Sequence, residues 1–175
     1  MNFRIDAVPN VYLKAGEFFI SSGPACVTTV LGSCLAVTMF NERLRIWAIC
    51  HALLPTKNGN NDDFKYVDSS IVRMLKEFKK VKIGRQEIDV KLFGGADMFK
   101  IRNASGALQP SSVGGQNIKA ALETLEKEGL SIAASDVGGK SGRKLYYFTP
   151  ENRVFIKRLD RLAISPGTGG PGKME

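Results

Sequence analysis

Short apolar runs, interrupted by glycine, proline and polar clusters, make up most of the chain, and only two stretches carry helical spacing. "VYLKAGEFFIS" (11–21) reads as strand material broken at Ala15-Gly16. "ACVTTVLGSCLAVTMFN" (25–41) is rich in Val, Thr and Leu and has no helix signal, which predicts extended structure bent near Gly32. After the turn "NERLR", "LRIWAICHALLP" (44–55) predicts a second apolar strand that ends at Pro55. These two are expected to pair antiparallel. "TKNGNNDDFKY" (56–66) is a polar loop. "YVDSSIVRMLKEFKKV" (66–81) then repeats apolar residues at Val67, Ile71, Met74, Leu75 and Phe78, which predicts an amphipathic helix.

The second half follows the same logic. "EIDVKLFGGADMF" (87–99) predicts a strand running into a glycine pair. Residues 111–139 contain a second helix with apolar positions Ile118, Ala121, Leu122 and Leu125, and Gly129 is its expected C-cap. The strand "LSIAASDV" follows, and "RKLYYFTPENRVFIKRL" (143–159) predicts a hairpin turning at Pro150-Glu151-Asn152. The end, "SPGTGGPGKME", is Gly/Pro-rich and is expected to be disordered. One domain over 1–163 with a tail over 164–175 is the expected organisation. Two helices cannot cover both faces of so many strands. The expectation is an α+β fold, mostly antiparallel, with helices on one side and strand packed on strand on the other.

Composition narrows the class. The chain has 175 residues, 43% of them hydrophobic and 24% charged, as in a soluble globular protein. No apolar run reaches 18 residues and the N-terminus lacks a signal-peptide core, so a cytoplasmic protein without membrane insertion is expected. Three cysteines, Cys26, Cys34 and Cys50, do not make a disulfide framework. A net charge of +8 predicts attraction to acidic surfaces. The basic residues are scattered and no RNA-binding signature appears, which favours an acidic protein over nucleic acid.

Few residues can carry chemistry. Gly139-Lys140-Ser141 ends like a phosphate-binding loop, but Ala134 stands where that loop needs its first glycine, and strand rather than helix follows. One histidine and three cysteines without C-x-x-C spacing offer few metal ligands. The remaining candidate is Cys34 with His51, the sole imidazole. A thiol needs a base to become a nucleophile near neutral pH. Gly32 and Ser33 form a small-residue bend before Cys34, which can free backbone N–H groups for an oxyanion hole. Alternation along one extended strand sets Thr28, Val30, Gly32 and Cys34 on one face and Thr29, Leu31 and Ser33 on the other. Thr28 is therefore the hydroxyl expected beside the thiol. Cys26 and Cys50, without such a bend, read as buried small hydrophobes.

"TTVLGSCLAV", "CHALLP", "KLFGGADMF", "VGGQNIKAALETLEKEGLSIAASDVGGKSGRKLYYF" and "RVFIKRL" together resemble CheD, the chemoreceptor glutamine deamidase family, over about residues 10–160. The resemblance implies an α/β/β sandwich and a triad of Cys34, His51 and Thr28. It implies hydrolysis of receptor glutamine side chains to glutamate without a cofactor. It also implies a second role, binding and stimulating a CheC-type phosphatase of CheY, which could stand as the main function instead. A cysteine amidase acting on small substrates is a third reading of the same residues. Val30 stands where the family usually has Gly, Cys50 where Ala is common, and Gly115-Gln116 where a Glu-Arg pair is usual.

Overall fold

The computed structural model describes residues 8–56, 64–97 and 112–159. Nine strands and two α-helices follow one another in these segments. The strands are β1 (Asn10–Tyr12), β2 (Phe18–Ser21), β3 (Cys26–Leu31), β4 (Leu35–Asn41), β5 (Ile46–Ala52), β6 (Asp89–Gly94), β7 (Ile132–Val137), β8 (Arg143–Phe148) and β9 (Arg153–Arg158). The helices are α1 (Val67–Lys80) and α2 (Val113–Lys127). The expected disorder of residues 164–175 and most of the 56–66 loop lie outside the described residues.

The strands form two sheets, one in the order β1-β3-β8-β9 and one in the order β2-β5-β4-β6-β7. Both helices pack on the five-stranded sheet. Its helix-facing side chains, Leu35, Val37, Met39, Ala48, Cys50 and Ala52, bury against Val67, Ile71, Met74 and Phe78 of α1 and Ala120, Ala121 and Leu125 of α2. Its other side packs on the four-stranded sheet through Ala36, Phe40, Trp47, Ile49 and Phe93 against Val27, Leu31, Leu145 and Tyr147. The molecule is thus helix, sheet, sheet, as the α+β reading expected. The middle sheet is apolar on both faces, so β4 is buried at all seven positions and shows no alternation in the sequence.

Local signals account for most boundaries. The chain breaks between β1 and β2 around Gly16, whose φ is +82°. Ser112 caps α2 by accepting from the Gly115 N–H at 3.1 Å. At the other end Leu130 N–H bonds the Leu125 carbonyl and Gly129 N–H that of Glu126, the paired closure that needs a left-handed residue at Gly129 (φ +67°). One feature differs from the expected picture: Leu122 is on the exposed side of α2 rather than on its apolar face. Five of the seven strand pairs among the described residues are antiparallel, as expected, and two, β1 with β3 and β6 with β7, are parallel.

Candidate active site

β3 and β4 are consecutive in sequence but belong to different sheets. The chain crosses between the sheets at Gly32-Ser33, and Cys34 stands at the entry to β4. Cys34 is partly exposed and packs against the cluster between the sheets. On β5, His51 is directly opposite Ala36 of β4. Ala36 faces the space between the sheets, and its cross-strand partner His51 faces the same way. Cys34 precedes Ala36 by two residues and shares its face. The thiol and the imidazole therefore stand diagonally across neighbouring strands, where a ring of this length reaches.

The hydroxyl that meets His51 is that of Thr29, not Thr28. Thr29 is fully buried, and its hydroxyl lies 2.7 Å from His51 Nδ1. Thr28 sits on the opposite side of β3, between Tyr12 and Tyr146 in the same sheet. The expected assignment carried strand alternation from residue 28 to residue 34 as though one strand ran through. β3 ends at Leu31, and the crossing at Gly32-Ser33 breaks that count. Val27, Thr29 and Leu31 point inward from one sheet, and His51 points inward from the other.

The hydrogen bonds settle the imidazole tautomer. The Thr29 hydroxyl donates to the Leu13 carbonyl at 2.7 Å. A hydroxyl has one proton, so toward His51 it can only accept. Nδ1 therefore carries the ring proton and Nε2 carries a lone pair. Nε2 is buried and has no hydrogen-bond partner among the described residues. Burial holds the His51 pKa below its ordinary 6.5, with the Leu13 carbonyl and Glu17 opposing the shift. Burial raises the Cys34 thiol, and the residue's own backbone N–H opposes this. The resting pair is a neutral thiol and a neutral imidazole with a free lone pair, which suits general-base chemistry.

The backbone around Cys34 is anchored on three sides. The Gly32 carbonyl accepts from Ala96 N–H, and the Cys34 carbonyl from Gly95 N–H, each at 2.8 Å. The Ser33 carbonyl accepts from Asn117 Nδ2 at 2.8 Å. Residues 94–97 are in turn held by the "DVGG" turn: Gly138 N–H bonds the Gly94 carbonyl, and Asp97 N–H the Gly139 carbonyl. Arg143, fully buried, ties that turn down through Asp136 and the Gly138 carbonyl. The "GGK" segment is thus a structural turn. Among the described residues no group of three or more His, Cys, Asp or Glu is arranged to hold a metal ion. Cys50 faces the helices, and its thiol is pushed up to about 11 by burial. Sequence reasoning missed Thr29 and Asn117. Asn117 had a signal: it is a polar residue three and four positions before the apolar Ala120 and Ala121 of α2.

Comparison with known proteins adds an independent line. A family model described as "CheD chemotactic sensory transduction" matches residues 53–158. A protein of Geobacter sulfurreducens named "Probable chemoreceptor glutamine deamidase CheD 2" is 50% identical over 162 residues, covering 92% of this chain and 97% of its own. A Maridesulfovibrio salexigens protein named "Probable chemoreceptor glutamine deamidase CheD" is 38% identical, covering 88% and 94%. An Archaeoglobus fulgidus protein of the same name is 31% identical, covering 84% and 92%. A solved structure of a Neisseria meningitidis protein of family DUF152 is similar at a TM-score of 0.44 and 12% identity, over 77% of this chain and 64% of that one.

Proposed function

Because this chain belongs to the CheD family, we propose that it deamidates glutamine side chains of chemoreceptors, with Cys34 as nucleophile, His51 as base and Thr29 as the group that orients His51. The observation that carries this reading is the 2.7 Å contact between the Thr29 hydroxyl and His51 Nδ1: because that hydroxyl donates its hydrogen bond to the Leu13 carbonyl, it accepts from Nδ1–H and leaves the lone pair of His51 on Nε2, which is buried and unpaired among the described residues.

The reaction runs in two halves. His51 Nε2 takes the Cys34 proton as sulfur attacks the carboxamide carbon. The oxyanion is held by backbone N–H groups of Ser33 and Cys34. The imidazolium then donates its proton to the departing nitrogen, which leaves as ammonia, and a thioester remains. In the second half His51 removes a proton from water, hydroxide adds to the thioester, and glutamate is released as the thiol regains its proton. The net change is carboxamide plus water to carboxylic acid plus ammonia. No cofactor enters. The free thiols of Cys26, Cys34 and Cys50 fit a reducing, cytoplasmic setting.

The test is mass spectrometry of a purified receptor cytoplasmic fragment incubated with the protein. Conversion of specific Gln residues to Glu is expected with the native protein. It should be absent with Cys34→Ala and retained with Cys26→Ala and Cys50→Ala. Conversion by the Cys34→Ala variant at the native rate would overturn the mechanism. Fast turnover of free glutamine, with none on the receptor, would favour a small-molecule amidase.

A further inference from the structure

Asn117 projects from the first turns of α2 and is fully buried. Its Nδ2 donates to two carbonyls, that of Ser33 at 2.8 Å and that of Leu53 at 3.0 Å. Those carbonyls flank the two reacting groups: Ser33 immediately precedes Cys34, and Leu53 is two residues beyond His51. Both are acceptors only, so the donor end of the amide must face them. Its Oδ1 is buried and finds no partner among the described residues. An unpaired buried acceptor is costly, and most helix-face residues avoid it.

A peptide unit is planar and trans, with its C=O and N–H pointing in opposite directions. The Ser33 carbonyl and the Cys34 N–H belong to one such unit. Turning the carbonyl into α2 turns the Cys34 N–H away from the helix, toward the side of the thiol. We infer that Asn117 is a positioning residue for the deamidation, holding the Ser33–Cys34 peptide so that its N–H faces the developing oxyanion while tying the nucleophile's loop to the end of the strand that carries the base. This rests on Cys34 being the nucleophile. The Gly32 and Cys34 carbonyls are held by backbone groups of Gly95 and Ala96, so the Ser33 peptide is the one whose orientation depends on a side chain.

Two variants test it. Asn117→Leu keeps approximate shape and removes both donors. With a receptor fragment, kcat is expected to fall on the order of 10²-fold with KM within about twofold, since the lost contact acts on the transition state. Asn117→Asp presents a carboxylate to two carbonyls and has no donor until protonated. Burial raises its pKa. Its activity relative to the native protein is therefore expected to recover as pH falls from 8 to 6, while the ratio for Asn117→Leu stays flat. Iodoacetamide labelling of Cys34 gives a readout that needs no receptor, and it should slow in both variants at neutral pH. Melting curves give the folded fraction, to which each rate is normalised. A normalised kcat and labelling rate equal to native in Asn117→Leu would overturn the inference. So would pH ratios that are the same for Leu and Asp. If the native protein itself leaves the receptor unchanged, the functional reading fails, and the labelling of Cys34 still reports on Asn117.

Discussion

The Thr29 hydroxyl has one proton to donate, and its hydrogen bond goes to the Leu13 carbonyl. The proposed role of His51 as base follows from that. Thr29→Val removes the acceptor for Nδ1–H, so the ring can adopt either tautomer and rotate. Deamidation is expected to fall about tenfold to a thousandfold, at or below the usual range for general-base catalysis. Thr28→Val, on the outer side of β3, should stay near native. Rates of both variants on one receptor fragment, with melting as a folding control, decide the matter, and a crippled Thr28→Val beside an active Thr29→Val would refute the assignment. The pH profile tests the same site. Only neutral His51 can accept the thiol proton, and burial lowers its pKa below 6.5. Activity should thus be lost only as pH falls through that lowered value, so the acid limb of kcat/KM lies below 6.5 and the profile is level through neutrality. An acid limb centred above the ordinary histidine value would contradict a buried neutral base.

At the level of elements, Cys34 is held by the end of β6 pressing on the start of β4. Gly94 has φ +112°, and a Cβ built there would overlap the Cys34 carbonyl oxygen, which is backbone and cannot step aside. Gly129, at the end of α2, also has a positive φ (+67°), but a Cβ there meets nothing within 4 Å. The two glycines therefore separate strain from clash. Gly129→Ala should cost about 1–2 kcal/mol, the left-handed penalty alone, and leave Cys34 labelling unchanged. Gly94→Ala should cost about 3 kcal/mol or more, because overpacking against backbone is added to the same penalty. It should also alter Cys34 labelling. Urea unfolding and iodoacetamide kinetics measure the two effects. Equal losses in stability with no change in labelling would mean that the β6–β4 contact does not set the thiol's position.

The whole molecule carries a net charge of +8. A surface of that sign attracts an acidic partner before any specific contact forms. Raising ionic strength from about 0.01 M to about 0.15 M shortens the screening length from about 30 Å to about 8 Å. The KM for an acidic receptor fragment should rise across that range while kcat holds, and free glutamine should show no such dependence. A salt-independent KM for the receptor fragment would remove charge from the account of recognition. Layering matters at this scale too. The middle sheet is covered by helices on one face and by a second sheet on the other, so Cys34 and His51 sit on the inter-sheet side rather than under the helices.

Much of this was legible in the chain itself, wherever the signal is local. Val67, Ile71, Met74 and Phe78 repeat at the helical period because one face of α1 is buried, and the same burial produced the repeat. Gly16 and Gly129 mark breaks because the backbone there needs a positive φ. Cys34 and His51 stood out by residue type, scarcity and the small-residue bend between β3 and β4. The partner of His51 was not legible. Alternation has a period of two only within one strand, and Gly32-Ser33 carries the chain from one sheet to the other, so parity counted across it assigns Thr28 where the fold uses Thr29. Asn117 reaches Ser33 over 84 positions and Leu53 over 64. No local pattern encodes such a meeting. It exists only because the long-range strand pairings and the packing of α2 on the five-stranded sheet bring three separate segments to one point.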